Sequence, residues 1–416
     1  MKGLSISFRA LSRLFLAGLL TASLFLSAST LYAFEASKDT PEFIRKFNTD
    51  VKAAKTDKDR LNIVKKFVDE IKTYALPYPF GERVTFVYFN EGEGKTPPKV
   101  EVTGDFTGWF KPVAMQTIKG TGFYYYTMDD MPQKARIEYK FKVNGKEVLD
   151  PLNPRRNDNG VGGENSFFSM PRYIPLVVFP ATGPKGTLKP LEIKSEILKG
   201  SRQATVYTPP GYDGAAGEKY PLLIVHDGSQ YLKSAQFADI VDDLIEAGTI
   251  KKLVIVFADP VERTKEYAQN ADYMRFVKEE LMPLIQKEYR VTGNPGDTGV
   301  MGASMGGLIS LSLASAYPEL FGLVASQSGA LAHQGTTLVK DFTDSEKKPL
   351  KIYTDVGLYD LVCKDSSFLR ANRSFDRLLR DKGYDHLYIE FPGGHHWVCW
   401  RDRIPDVLEF LYGKGK

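Results

Sequence analysis

The chain has 416 residues, with 55 Lys and Arg against 51 Asp and Glu, and 43% of it is hydrophobic. A chain so long and so apolar has enough side chains for more than one core, which excludes a disordered or fibrous protein, and a formal charge of +4 does not imply a nucleic-acid partner. Two cysteines and five histidines exclude a disulfide-dense scaffold, and their spacing does not resemble a metal site, so no metal is expected.

Residues 1–33 read as an export leader rather than as part of the fold. Lys2, Arg9 and Arg13 form a basic start, Leu14 to Phe25 an apolar stretch, and Leu31-Tyr32-Ala33 a cleavage site. Its apolar core is short for a bilayer span, although a retained anchor is the alternative. Cleavage leaves a nearly neutral chain, delivered to the periplasm or the exterior, with no further segment able to span a membrane. Residues 34–78 read as a helical hairpin: Thr40-Pro41 opens the first helix and Thr56-Asp57 caps the second. Leu61, Val64, Phe67, Val68 and Ile71 make one apolar face, which suits a neighbouring domain or, equally, a homodimer.

Residues 79–172 alternate apolar and polar positions between frequent turns, as in Val84 to Phe89, Phe123 to Met128 and Ile137 to Val143, and predict a small antiparallel β-sandwich. A proline-rich link follows, with Pro175, Pro180, Pro184 and Pro190. Residues 173–416 then read as an α/β-hydrolase fold, a mostly parallel sheet with helices on both faces. Glu192 to Leu198 and Arg202 to Thr208 form its first hairpin, and buried strands follow at Tyr220 to His226 and Leu253 to Ala258.

Thr298 to Met301 is a buried strand that leads into Gly302-Ala303-Ser304-Met305-Gly306 and then an apolar helix closed by Pro318, the pattern of a nucleophile elbow. The tight turn would expose the Ser304 hydroxyl and aim the Met305 N–H at a developing oxyanion. In a chain with 36 glycines the pentapeptide needs partners: a serine hydroxyl is a poor nucleophile without a base, and the base needs an acid. The acid is expected after the strand Lys351 to Thr354, where Asp360 is favoured because Gly357 lets the chain turn first, with Asp355 in reserve. His226, His333 and His386 read as structural, which leaves His395 and His396 on the loop after Leu387 to Phe391. Tyr231, Tyr359 and Trp397 are candidates for an aromatic wall around an acyl group, or for core. In an oxidising compartment Cys363 and Cys399 could bridge the acid and histidine loops; two free thiols are the alternative.

Gly302 to Gly307, Gly357-x-x-Asp360 and Gly393-Gly394-His395-x-Trp397-x-x-Trp400-Arg401 resemble the esterase D family of α/β-hydrolases, which includes siderophore (enterochelin) esterases, feruloyl and acetyl-xylan esterases and mycolyltransferases. The resemblance implies that His395 rather than His396 is the base, and supports Asp360 as the acid. It implies a second oxyanion donor at Gly228 or Ser229, and a rim motif, Arg263-x-x-Glu266-Tyr267, whose arginine orients a polar substrate. Gly104-Asp105-Phe106-Thr107-Gly108-Trp109, Tyr139 to Gly145 and Asn165-Ser166 resemble glycogen-binding-like modules of immunoglobulin-type fold. Trp109, Lys140 and Asn165 match the sugar-contacting positions of such modules, while Glu147 stands near the place of the second stacking tryptophan. The expectation is an exported serine carboxylester hydrolase needing no cofactor, acting on acyl or feruloyl esters of a polysaccharide or a related small ester. The alternatives are a catecholate siderophore esterase, an acyltransferase to a sugar, and a non-catalytic glycan-binding protein.

Overall fold

The computed structural model describes residues 40–73, 76–90, 97–160, 162–178, 183–212, 217–363 and 366–415. The expected leader at 1–33 lies outside them. Among the described residues no helix is long and apolar enough to cross a membrane.

Eight strands form the main sheet, in the spatial order Thr187–Ser195, Gly200–Thr208, Val254–Ala258, Leu222–His226, Thr298–Ala303, Leu323–Gln327, Lys351–Gly357 and Asp385–Phe391. The first two are antiparallel to their neighbours and all the others run parallel. The central strands are buried along their whole length, as expected for a parallel sheet covered on both faces. One face packs against helices through Ile224, Val300, Leu308 and Leu311, and the other through Leu223, Met301, Ile404 and Leu408. This is the α/β-hydrolase arrangement.

Upstream, one antiparallel sheet contains Tyr78–Phe80, Arg83–Phe89, Phe123–Met128 and Gln116–Ile118, and a second contains Val100–Gly104, Arg136–Val143 and Glu164–Ser169 with shorter edges. They close on a shared core of Val84, Phe86, Tyr126, Val102, Ile137, Tyr139 and Phe168, a β-sandwich. Tyr359, from the acid loop of the hydrolase, is buried in that same core.

The two helices of the hairpin are Glu42–Ala53 and Asp57–Ile71, the second capped by the Thr56 hydroxyl accepting from Asp59 N–H. Val64, Val68 and Ile71 pack with Val87, Ile118, Phe123 and Tyr125 on the outer face of the first sheet. The apolar stripe therefore has its partner within the chain, and the argument it gave for a homodimer falls away. Leu61 is the departure from the expected face: it is 52% exposed.

Candidate active site

Ser304 ends the central strand Thr298–Ala303 and caps the helix Met305–Ala316, with φ 58° and ψ −118°. A non-glycine residue in that region is strained, and the strain is held by hydrogen bonds on every side. Ser304 N–H donates to Gln327 C=O at 2.8 Å, and Ser304 C=O accepts from Ala330 N–H at 3.0 Å and Leu308 N–H at 3.1 Å. A Cβ on Gly302 would lie 2.5 Å from the Gly306 carbonyl carbon, so only glycine lets strand and helix come so close. Met305 opens the helix, and its N–H has no intrahelical acceptor.

His395 lies on the loop after Asp385–Phe391, and its Nδ1 is 2.7 Å from Asp360 Oδ1. The Asp360 carboxylate is fully buried and also accepts from Leu361 N–H at 2.8 Å and Gly357 N–H at 3.3 Å. Phe368 and Trp400 meet the imidazole edge to face at 5.0 and 4.9 Å. These contacts hold Nδ1 against the acid, so the other ring nitrogen, Nε2, is not engaged by Asp360. The Trp400 carbonyl accepts from Gln327 Nε2, and Gln327 C=O holds Ser304 N–H, so one residue links the histidine wall to the elbow. Among the described residues the Ser304 hydroxyl makes no hydrogen bond, the ring of His395 included; rotation about one χ1 bond is its remaining freedom.

Asp360 rather than Asp355 meets the histidine, although not for the reason expected from Gly357. That glycine is still inside the strand Lys351–Gly357, and a Cβ there would lie 2.3 Å from Gly393 C=O, so it serves close approach of the two loops. Asp355 is a mid-strand residue, wholly buried, accepting from Ser328 N–H, Tyr353 OH and Gln327 Nε2. Burial pushes its carboxyl up to about 7.

The expected oxyanion and rim residues divide. Gly228 opens the helix Gly228–Ser234 with its N–H free of intrahelical partners, whereas Ser229 N–H already donates to Asp259 Oδ1 at 2.9 Å. Arg263 is not paired with Glu266, which instead faces Arg202 at 3.3 Å. It forms a bidentate pair with Asp227, Nε to Oδ1 and Nη2 to Oδ2 both at 2.8 Å, and its side chain is 41% exposed. Tyr267 is wholly buried and its hydroxyl accepts from Asp227 N–H; Tyr231 is wholly buried and donates to Gln327 Oε1. Trp397 packs edge to face on Tyr231 and Trp400. The anticipated aromatic wall of Tyr231, Tyr359 and Trp397 is thus core: Tyr231 and Trp397 pack in the hydrolase core and Tyr359 in that of the sandwich.

The sugar-contacting trio is also otherwise engaged. Trp109 Nε1 donates to Asp105 Oδ1 at 2.9 Å, Lys140 faces Glu147 at 3.5 Å, and buried Asn165 donates to Glu138 Oε2 at 2.8 Å. Cys399 is a free, buried thiol 3.3 Å from His396 Nε2, in place of the expected bridge; the side chain of Cys363 lies outside the described residues. His396, whose role the sequence left open, caps the last helix, Trp397–Tyr412, by accepting from Cys399 N–H. Among the described residues no cluster of His, Cys, Asp or Glu could hold a metal ion.

Residues 195–411 match the model of a family described as putative esterase. An iron(III) enterobactin esterase of Escherichia coli is 27% identical over 340 residues, covering 73% of this chain and 82% of the relative. The crystal structure of the enterobactin esterase of Shigella flexneri, obtained in the presence of enterobactin, is 26% identical with a TM-score of 0.65, covering 79% of this chain and 92% of that one. An endo-1,4-beta-xylanase/feruloyl esterase of Xylanibacter ruminicola is 24% identical, covering 55% of this chain and 31% of the relative. The family match spans more than half of the chain and runs through elbow, acid and histidine loops, so this chain belongs to that esterase family and is a carboxylic ester hydrolase.

Proposed function

We propose that ester hydrolysis proceeds through Ser304, His395 and Asp360. Ser304 attacks the ester carbonyl and His395 Nε2 takes its proton, then returns it to the leaving alkoxide; Asp360 holds the tautomer and offsets the imidazolium charge. The Met305 and Gly228 N–H groups stabilise the tetrahedral oxyanion, each such donor contributing about 3 kcal/mol to the transition state. Ser229 stays a candidate only if Asp259 releases its N–H. The observation that carries this reading is the 2.7 Å bond between His395 and Asp360, on loops that leave adjacent parallel strands, with Gln327 joining the Trp400 carbonyl beside His395 to Ser304 N–H.

For the substrate we favour a catecholoyl-serine ester of the siderophore type over the polysaccharide ester that the sequence put first. Likeness to enterobactin esterases runs through the sandwich as well as the hydrolase, whereas likeness to the feruloyl esterase covers little beyond the hydrolase. Arg263 Nη1 and the exposed edge of its guanidinium suit a hydroxyl-rich acyl group at the rim. The glycan-binding alternative loses its basis, since Asn165 is buried and Trp109 is tied to Asp105. The leader implies that the reaction takes place outside the cytoplasm.

The test compares wild type and Ser304→Ala on the cyclic trimer of 2,3-dihydroxybenzoyl-serine, on feruloyl and acetyl sugar esters, and with added sugar acceptor. The expected result is a kcat/KM highest for the trimer, water as acceptor, and no hydrolysis by Ser304→Ala. Preference for the sugar esters would overturn the substrate, acyl transfer to sugar the reaction class, and an active Ser304→Ala the mechanism.

A further inference from the structure

The outer face of the second sandwich sheet carries a buried ionic cluster that makes no part of either core. Glu138, wholly buried, accepts from Arg136 Nη1 at 3.1 Å, Asn157 Nδ2 at 2.8 Å and Asn165 Nδ2 at 2.8 Å. The Arg136 guanidinium lies over the Phe167 ring at 4.2 Å and reaches His396 Nδ1 at 3.4 Å. Asp105 accepts from Glu138 N–H at 2.7 Å and lies 3.5 Å from His396 Nε2. Burial pushes His396 down to about 4, so it is neutral, with Nδ1 the acceptor for Arg136 and for Cys399 N–H.

These groups meet the hydrolase at the histidine loop. Arg136 N–H donates to Pro392 C=O at 3.2 Å and pairs with Gly393 as an isolated parallel bridge. A Cβ on Gly394 would lie 2.0 Å from Asp105 Cγ, so the carboxylate fills the space where any other residue before His395 would put a side chain. That carboxylate cannot swing aside, since Trp109 Nε1 holds one oxygen and Glu138 N–H the other. His395 is therefore flanked by two clamped neighbours, Gly394 against Asp105 and His396 against Arg136.

We propose that Asp105, Arg136 and Glu138 are positioning residues for the esterase: the sandwich face that resembles a sugar-binding surface instead sets the backbone of the histidine loop, and with it the reach of His395 toward Ser304. A buried ion pair adds little net stability over apolar packing, but only one docking satisfies all of its partners, so it fixes register. Displacing a catalytic group by about 1 Å costs on the order of a hundredfold in rate. This inference rests on the Ser304–His395–Asp360 reading.

The experiment measures p-nitrophenyl acetate hydrolysis by the full-length protein, with active sites counted by a fluorophosphonate so that kcat refers only to competent molecules. Gly394→Ala should lower kcat about tenfold or more with KM little changed, and Asp105→Ala added to it should recover part of the loss by vacating the space. Arg136→Lys, which keeps the charge but shortens the reach, should lower kcat about fivefold at constant KM. Wild-type kcat per titrated site in both Gly394→Ala and Arg136→Lys would overturn the positioning role, as would the absence of any recovery in a folded double variant. Ser304→Ala separates the two claims: if it still hydrolyses, the triad has failed, and if it is dead while the positioning variants are normal, only this inference has.

Discussion

Asp355 gives the account a sharp thermodynamic test. Its carboxyl is wholly buried in the strand Lys351–Gly357, and burial outweighs Arg403 and three hydrogen bonds in pushing it from 3.8 up to about 7. The folded-state value lies above the unfolded one, so the fold favours the protonated acid. Its contribution is fully present below about pH 4 and is lost as the pH rises toward 7. A difference of about three pKa units corresponds to roughly 4 kcal/mol of folding free energy across that window. Asp355→Asn keeps the shape and an acceptor for Ser328 N–H, and the Tyr353 hydroxyl can turn to accept from the new amide. Wild type has opposing slopes, because burial holds His226 down to about 3 and His396 down to about 4, and both lose stability as the pH falls below 6.5. The informative quantity is therefore the difference between variant and wild type in urea unfolding free energy at pH 4, 5, 6, 7 and 8. The variant should gain on wild type by several kcal/mol between pH 4 and 8 and then level off. Parallel curves would show that the carboxyl is not held protonated and that the reasoning from burial is wrong.

Asp360→Asn should lower kcat by about 10³ to 10⁴, with KM within a fewfold and the fold intact, because the amide no longer imposes the tautomer; steady-state kinetics on p-nitrophenyl acetate decide it. Gly302→Ala puts a methyl 2.5 Å from the Gly306 backbone, and should cost about 3 kcal/mol or more in urea denaturation together with loss of fluorophosphonate labelling, since the helix that starts at Met305 has to shift. A free-thiol count on unfolded, unreduced protein should give two reactive cysteines, because Cys399 is a thiol; fewer than two would restore the bridge.

What the sequence shows of this molecule follows how local each signal is. Elbow, buried strands and histidine loop could be read because a buried strand, a glycine pair and a helix start are written in consecutive residues. Asp355 lies inside a strand expected to end at Thr354, since Val356 and Gly357 go on pairing with Glu390 and Phe391. Tyr231, Tyr359 and Trp397 could be read for a wall or for a core, because an aromatic next to a site motif says nothing about which element covers it. Asp105, Arg136 and Glu138 were invisible as site residues: their partners, Gly394 and His396, lie in the far segment of the chain, and only the docking of sandwich on hydrolase brings them together. A glycine whose absent side chain is replaced by a distant carboxylate is a signal that no single segment carries.

The most direct measurement is mass spectrometry of the protein quenched during turnover of a p-nitrophenyl ester, or after reaction with a fluorophosphonate. The adduct is expected on the peptide containing Ser304, and on no peptide in Ser304→Ala. An adduct on another residue, or hydrolysis at wild-type rate by the unlabelled Ser304→Ala protein, would contradict it.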